Sequence, residues 1–196
     1  RFAPAYGARV VLTPTTPKPL ATSAWPASTS TAAELTAAQL YDGRTLFHGA
    51  ALQQLRSVVE INDAGLKARA THIALGSAAE GQFSGGHTVV DGFAADHMLQ
   101  AMLVWCRHKY GVASLPSSMG RLEWYRPLPT NGEYYVSLQI TSSNASSKEQ
   151  HVAGGAVGNC FFHDASGVCF LAGHDLAVTL NETLEYRLGG PTPTAT

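Results

Sequence analysis

The clearest helical pattern lies over residues 93–110, where Met98, Leu99, Met102, Leu103 and Cys106 recur at the three-and-four spacing of one helix face. Asp91-Gly92 opens this segment, and Gly111 stands where a helix cap is wanted. Downstream the period changes to two. In 133–142, Tyr134, Val136, Leu138 and Ile140 share one face, while Tyr135, Ser137, Gln139 and Thr141 share the other. Residues 150–163 and 168–180 read as two long strands joined by a hairpin turn at Asp164-Ala165-Ser166-Gly167. Upstream, 57–62 and 66–75 read as a strand pair turning at Asn62-Asp63-Ala64-Gly65. Residues 33–41 predict a short helix stopped by Asp42-Gly43, 47–55 one or two further turns, and the Gly- and Ser-rich stretch 76–90 a loop. Gly154-Gly155 inside a strand predicts a bulge or a close backbone approach.

Together these elements predict an α+β layout, a curved antiparallel sheet wrapped on one long central helix. Residues 1–33 stand apart. Arg9 to Leu12 could form a short strand, but Pro14, Pro17, Pro19 and Pro26 forbid a regular element after it. We therefore expect a Pro/Thr/Ser-rich linker or surface arm over 1–33, the folded domain over 34–188 and a tail over 189–196.

Composition narrows the function classes. The 196 residues suit one domain with a sizeable core, and 45% of them are hydrophobic. Only 14% are charged, against roughly 25% on average, which points to burial against other domains. A net charge of −1 with no basic stripe argues against nucleic acid. Apolar runs such as 98–106 are too short to span a bilayer, and no charged-then-apolar leader opens the chain, so no membrane insertion is expected. The start at Arg1 suggests a piece of a longer polypeptide. Cys106, Cys160 and Cys169 have no metal-ligand spacing and read as buried thiols in a reducing, cytoplasmic compartment. The sequons at Asn144 and Asn181 read as chance matches.

Three segments carry a family resemblance: YDGRTLFHGAALQQL at 41–55, DGFAADHMLQAMLVW at 91–105 and SLPSS at 114–118. Their order and spacing resemble the C-terminal half of polyketide-synthase dehydratase domains, closest in flavour to the dehydratase regions of polyunsaturated-fatty-acid synthases. The resemblance covers roughly 34–188 and implies a hot-dog fold. It also implies an elimination: a β-hydroxyacyl thioester loses water to give an enoyl thioester. In the family a His from one hot dog removes the α-proton, and an Asp on the central helix of the second protonates the departing hydroxyl. Carried over by motif, the acid is Asp96 and its helper is Gln100.

The residues themselves make that assignment plausible chemistry. Positions 96 and 100 lie one above the other on a helix, so Gln100 can donate an amide hydrogen bond to Asp96. The apolar helix face would raise the Asp96 pKa by desolvation, as a general acid needs. A place in the first helical turn would act oppositely, and Asp96 also reads simply as an acid complementing the helix dipole. In Phe47-His48-Gly49, His48 falls where many polyketide dehydratases carry the Tyr of Tyr-Gly-Pro, with Ala50 at the Pro position and Leu52 at a Phe position. The resemblance puts this segment near the acyl chamber. His48 would touch substrate, bond to the catalytic pair, or pack beside the helix with one nitrogen satisfied.

The family's His-x-x-x-Gly-x-x-x-x-Pro motif is absent. His151 has Gly155 four residues on, but Cys160 occupies the Pro position and the segment reads as a late strand. The base is therefore expected from a second hot dog, in cis or in a homodimer. Other expected partners are an acyl carrier protein and the remaining domains of a parent synthase. No cofactor is expected, the substrate riding on the carrier's phosphopantetheine arm. Asp91, His97 and His108 lack metal spacing, and His87 reads as a solvated loop residue. Trp105, Tyr110, Trp124 and Tyr125 read as core packing or an edge of an acyl tunnel. Two alternatives compete. A non-catalytic hot dog for dimerisation or carrier docking would explain the missing His. A hot-dog thioesterase would use the helix carboxylate to activate water.

Overall fold

The computed structural model describes residues 7–15, 17–21, 34–72, 92–129, 131–144, 146–148, 151–182 and 184. Its elements run β1 (Leu35–Thr36), α1 (Ala37–Leu40), a 3-10 turn (Ala50–Leu52), β2 (Leu55–Asn62) and β3 (Gly65–Thr71). Then follow α2 (Gly92–Tyr110), β4 (Ser114–Trp124), β5 (Glu133–Ser143), β6 (Ser146–Lys148), β7 (His151–His163) and β8 (Cys169–Asn181). One antiparallel sheet has the order β1-β2-β3-β5-β7-β8-β4, with β6 added on β7. Sheet and long helix are thus the layout that the hydrophobic pattern predicts.

The two periods generate the core. Tyr134, Val136 and Leu138 of β5 and Cys160 and Phe162 of β7 turn inward, at most 1% exposed, onto Met98, Met102 and Trp105 of α2. Trp105 hydrogen-bonds outward only once in this apolar setting, its Nε1 donating to the Asn62 carbonyl at 2.8 Å. The helix lies close because two strand positions beneath it are glycine. A Cβ on Gly173 would come within 2.7 Å of the Met98 sulfur, and one on Gly158 within 3.2 Å of the Met102 sulfur and 2.7 Å of the Gln139 carbonyl. Gly111 ends the helix with φ +72°, its N–H bonded to the Arg107 carbonyl at 2.9 Å.

The strand-internal Gly155 is a close approach: its N–H donates to Asn144 Oδ1 at 2.8 Å, and a Cβ would sit 3.0 Å from the Val178 carbonyl. On the other face of the sheet, Tyr125, Cys169 and Ala172 form a small second cluster with Phe161. Tyr125 therefore packs away from the helix. The arm touches this corner, Leu20 accepting from the Cys169 N–H at 2.9 Å. The three cysteines are buried free thiols, as expected, and burial pushes Cys106 up to about 12.

Several local expectations are corrected. The helix read over 33–41 is shorter, because Leu35 and Thr36 pair with β2 and Thr36 becomes the cap, Gln39 Oε1 accepting from its N–H at 2.9 Å. The expectation of one or two turns over 47–55, by contrast, holds: a single 3-10 turn forms there, and Leu55 already belongs to β2. Arg9 to Leu12 forms no strand: Val10, Val11 and Leu12 are exposed, with no neighbouring strand among the described residues to complete a ladder. The expected loop 76–90, with His87, lies outside the described residues, as do Asp91, most of the arm and the tail 189–196. No described helix is long and apolar enough to cross a membrane.

Candidate active site

The site forms where the segment between α1 and β2 crosses the N-terminal half of α2. That segment is shaped locally. Asp42 Oδ1 accepts from the N–H groups of Arg44 and Thr45 at 2.8 and 2.6 Å, turning the chain sharply after α1. Buried Leu40 and Leu46 then close on each other through the Leu46 N–H to Leu40 carbonyl bond of 2.9 Å. The 3-10 turn follows, and the Gln53 side chain ties it back, donating to the His48 carbonyl at 2.8 Å.

Gln100 is the centre of the arrangement and is fully buried. Its Nε2 donates to Asp96 Oδ2 at 2.7 Å and to the Leu52 carbonyl at 3.1 Å. Its Oε1 accepts from the Tyr41 hydroxyl at 2.8 Å, and that hydroxyl accepts from the Leu55 N–H at 3.1 Å. Every polar position of the amide is used, so its orientation is determined. A flipped amide would aim Oε1 at a carbonyl and a carboxylate, which repel it. Burial, above all, pushes the Tyr41 phenol up to about 12, so it remains a proton donor. Asp96 Oδ2 is thereby occupied.

The helix starts at Gly92, which puts Asp96 beyond the first turn. This corrects the expected first-turn placement. The Asp96 side chain is 33% exposed, open enough to meet a substrate.

His48 comes to the same carboxyl. Its Nε2 lies 3.6 Å from Asp96 Oδ2, and its side chain is only 9% exposed. Phe47 stacks on the ring at 4.8 Å between centroids and is itself 45% exposed. Burial lowers the His48 pKa, while the Asp96 charge raises it. Its Nδ1 is buried with no hydrogen-bond partner among the described residues. Gly49 caps the 3-10 turn with an ordinary φ of −67°, and a Cβ there would meet nothing within 4 Å. So Asp96, Gln100 and His48 converge, Phe47 roofs the imidazole, and Gly49 leaves open space beside it. Tyr41 and the Leu52 carbonyl were missed by sequence reasoning. The only signal was that Tyr41 opens the segment 41–55.

Three other described histidines are engaged elsewhere. His163 is 2.8 Å from Ser137 Oγ and 2.8 Å from the Asp164 carbonyl, and His174 is 3.0 Å from Glu123 Oε2. His97 is buried near the Tyr134 hydroxyl at 3.4 Å. Among the described residues, no group of three His, Cys, Asp or Glu side chains could hold a metal ion.

Residues 17–158 match the family described as the polyketide synthase dehydratase N-terminal domain. The chain is 32% identical over 171 residues, 87% of its length, to a polyunsaturated fatty acid synthase subunit of Thraustochytrium sp. (strain ATCC 26185 / S-3), and spans 6% of that protein. Among solved structures, it resembles a trans-AT polyketide synthase dehydratase domain from Brevibacillus brevis at TM-score 0.53 and 15% identity, covering 76% of this chain and 48% of that one. The dehydratase domain of MlnD from Bacillus amyloliquefaciens aligns at TM-score 0.52 and 12% identity, covering 82% and 53%. The CurH-module dehydratase domain of the curacin synthase aligns at 0.51 and 17%, covering 86% and 56%. These likenesses establish the hot-dog fold, and the chain spans about half of each solved domain. The family description says amino-terminal domain, whereas the motifs with Asp96 resemble the carboxy-terminal half. The match over residues 17–158, joined to the fold, makes this chain a hot-dog member of the polyketide synthase dehydratase family.

Proposed function

We propose that residues 34–188 are the Asp-bearing hot-dog unit of a dehydratase acting on β-hydroxyacyl chains held as thioesters on an acyl carrier protein. The observation that carries the reading is the carboxyl of Asp96, held through Oδ2 by Gln100 on the central helix, with its remaining edge partly exposed. In the reaction, a base takes the α-proton, the Cα–Cβ double bond forms, and the Cβ–O bond breaks. Asp96 gives its proton to the departing hydroxyl, which leaves as water. Gln100 holds the carboxyl in one rotamer throughout, so no reorientation is needed at the moment of transfer.

The α-proton base is supplied by a second hot dog. His48 is roofed by Phe47 and faces Asp96, a poor position from which to reach a Cα beyond that carboxyl. The edge strand β4 supports pairing with another unit: it spans 11 residues, is hydrogen-bonded to β8, and stands last in the sheet order. The partner is another hot dog of the same synthase or a second copy. The substrate arrives on the carrier's phosphopantetheine arm, and the unit uses no cofactor of its own.

The test is the synthase carrying this chain, wild type against Asp96→Asn, with carrier-bound products resolved by mass spectrometry. Accumulated β-hydroxyacyl intermediates are expected. Normal product output would make this hot dog a scaffold, and release of free acid without enoyl formation would make it a thioesterase.

A further inference from the structure

Among the described residues, the large hydrophobic side chains that stand exposed are Val10, Val11, Leu12 and Leu20 of the arm, and Phe47. Phe47 is thus the one that belongs to the folded body, and it stands at the site. Its ring stacks on His48 with 4.8 Å between centroids and 15° between planes, and His48 Nε2 lies 3.6 Å from Asp96 Oδ2. A lone exposed apolar residue is ordinary on a protein surface. This one is set apart by its place, one aromatic ring away from the candidate acid.

The phenyl ring is also held. The imidazole beneath it is buried, and the Gln53 side chain ties the His48 carbonyl at 2.8 Å. One face of the ring is therefore taken, and the 45% exposure of Phe47 falls on the other face and the edges. Two residues on, a Cβ at Gly49 would meet no atom within 4 Å, so the surface beside the ring is not walled off.

A β-hydroxyacyl thioester has two arms at Cβ. The thioester arm carries a carbonyl and, beyond the sulfur, the amides of pantetheine, which lose hydrogen bonds to water when laid on a phenyl ring. The alkyl arm has no such loss and gains with each methylene taken out of water. We propose that Phe47 is a specificity-determining residue for the elimination. With the β-hydroxyl at Asp96, the alkyl arm lies on the open face of the Phe47 ring, and the unit selects apolar chains long enough to cover that face over short ones. His48 is the platform that holds the ring. The inference rests on Asp96 being the acid, and it names the class of chain that this site takes.

The test uses the synthase carrying this chain, supplied with β-hydroxybutyryl-pantetheine or β-hydroxyoctanoyl-pantetheine, with kcat/KM for dehydration measured for each. Wild type is expected to favour the octanoyl substrate, by up to about fourfold for each methylene that the ring removes from water. Phe47→Ala is expected to lose that advantage while the butyryl substrate is little affected. Phe47→Gln, which keeps the length of the side chain but not its apolar face, is expected to behave like Phe47→Ala, and Phe47→Leu to keep part of the preference. Losses of equal size for both substrates would overturn the proposal and make Phe47 only a support for His48. A wild type without a length preference would overturn it too. So would an unchanged preference in Phe47→Ala together with an altered oligomeric state in analytical ultracentrifugation, which would assign the ring to a protein interface. If Asp96→Asn dehydrates both substrates normally, the acid reading itself fails. If Asp96→Asn is inactive while the length preference is the same with and without Phe47, the acid stands and only this proposal fails.

Discussion

The Tyr41 hydroxyl donates to Gln100 Oε1 at 2.8 Å, and this bond decides which end of the Gln100 amide faces Asp96. The phenol has its own lone pair filled by the Leu55 N–H, so its proton has one place to go. The Asp96 carboxyl is therefore oriented from the backbone at the start of β2, through two side chains, and not by its helix neighbour alone.

Tyr41→Phe removes this anchor and leaves both the Leu55 N–H and Gln100 Oε1 without their partner. Stability is expected to drop by about 1–3 kcal/mol, the usual cost of stranding buried polar groups. The dehydration rate is expected to fall with little change in KM, since substrate contacts are untouched. Chemical denaturation and steady-state kinetics with a carrier-bound β-hydroxyacyl substrate check the two parts. A variant with full kcat would show that the Asp96–Gln100 pair orients itself.

Gly49→Ala separates folding from substrate space. The new methyl meets no protein atom within 4 Å and the φ of −67° suits alanine, so stability should stay within about 0.5 kcal/mol. A raised KM in this well-folded variant is expected if the acyl chain passes over the turn. An unchanged KM would remove Gly49 from the binding surface.

The two glycines under α2 should not respond alike. At Gly173 the added methyl meets the end of a flexible methionine, which can move. At Gly158 it meets the Gln139 backbone carbonyl at 2.7 Å as well, which can give way only by shifting a strand. Gly158→Ala is expected to cost about 1–3 kcal/mol, as overpacked sites do, and Gly173→Ala less. Thermal melts of the two variants decide this, and the reverse order would contradict the packing account.

The hairpin turn at Asp164 predicts a pH dependence of stability. Burial alone would raise its carboxyl, but bonds from Ser166, Arg126 and the Val168 N–H outweigh that and hold it far below the ordinary range. A depressed folded-state pKa adds stability that is complete above the unfolded value near ~4 and is lost as pH falls through the folded value. Asp164→Asn is therefore expected to destabilise the protein at neutral pH, on the order of 1 kcal/mol after solvent screening. The gap from wild type should close as the pH is lowered below about 4. Denaturation midpoints at neutral and acidic pH check it, and a constant gap would mean the carboxyl charge is not the cause.

What the sequence alone determined is what repeats locally. The Asp96–Gln100 bond follows from the rise of an α-helix, which stacks residues four apart. The inward faces of β5 and β7 follow from the two-residue period of a strand. The turns at 62–65 and 164–167 follow from residues that favour them. The tertiary structure alone decided that His48 arrives at the Asp96 carboxyl from 48 positions away along the chain, and Tyr41 at Gln100 from 59. It also decided that β4, the first described strand after the helix, lies at the far edge beside β8. It placed Asp96 beyond the first turn of the helix. Local periodicity specifies which face of an element is apolar, but not which distant surface will cover it. That choice is made when the segment before β2 packs on α2, buries Leu40 and Leu46, and carries its polar groups to Gln100 and Asp96.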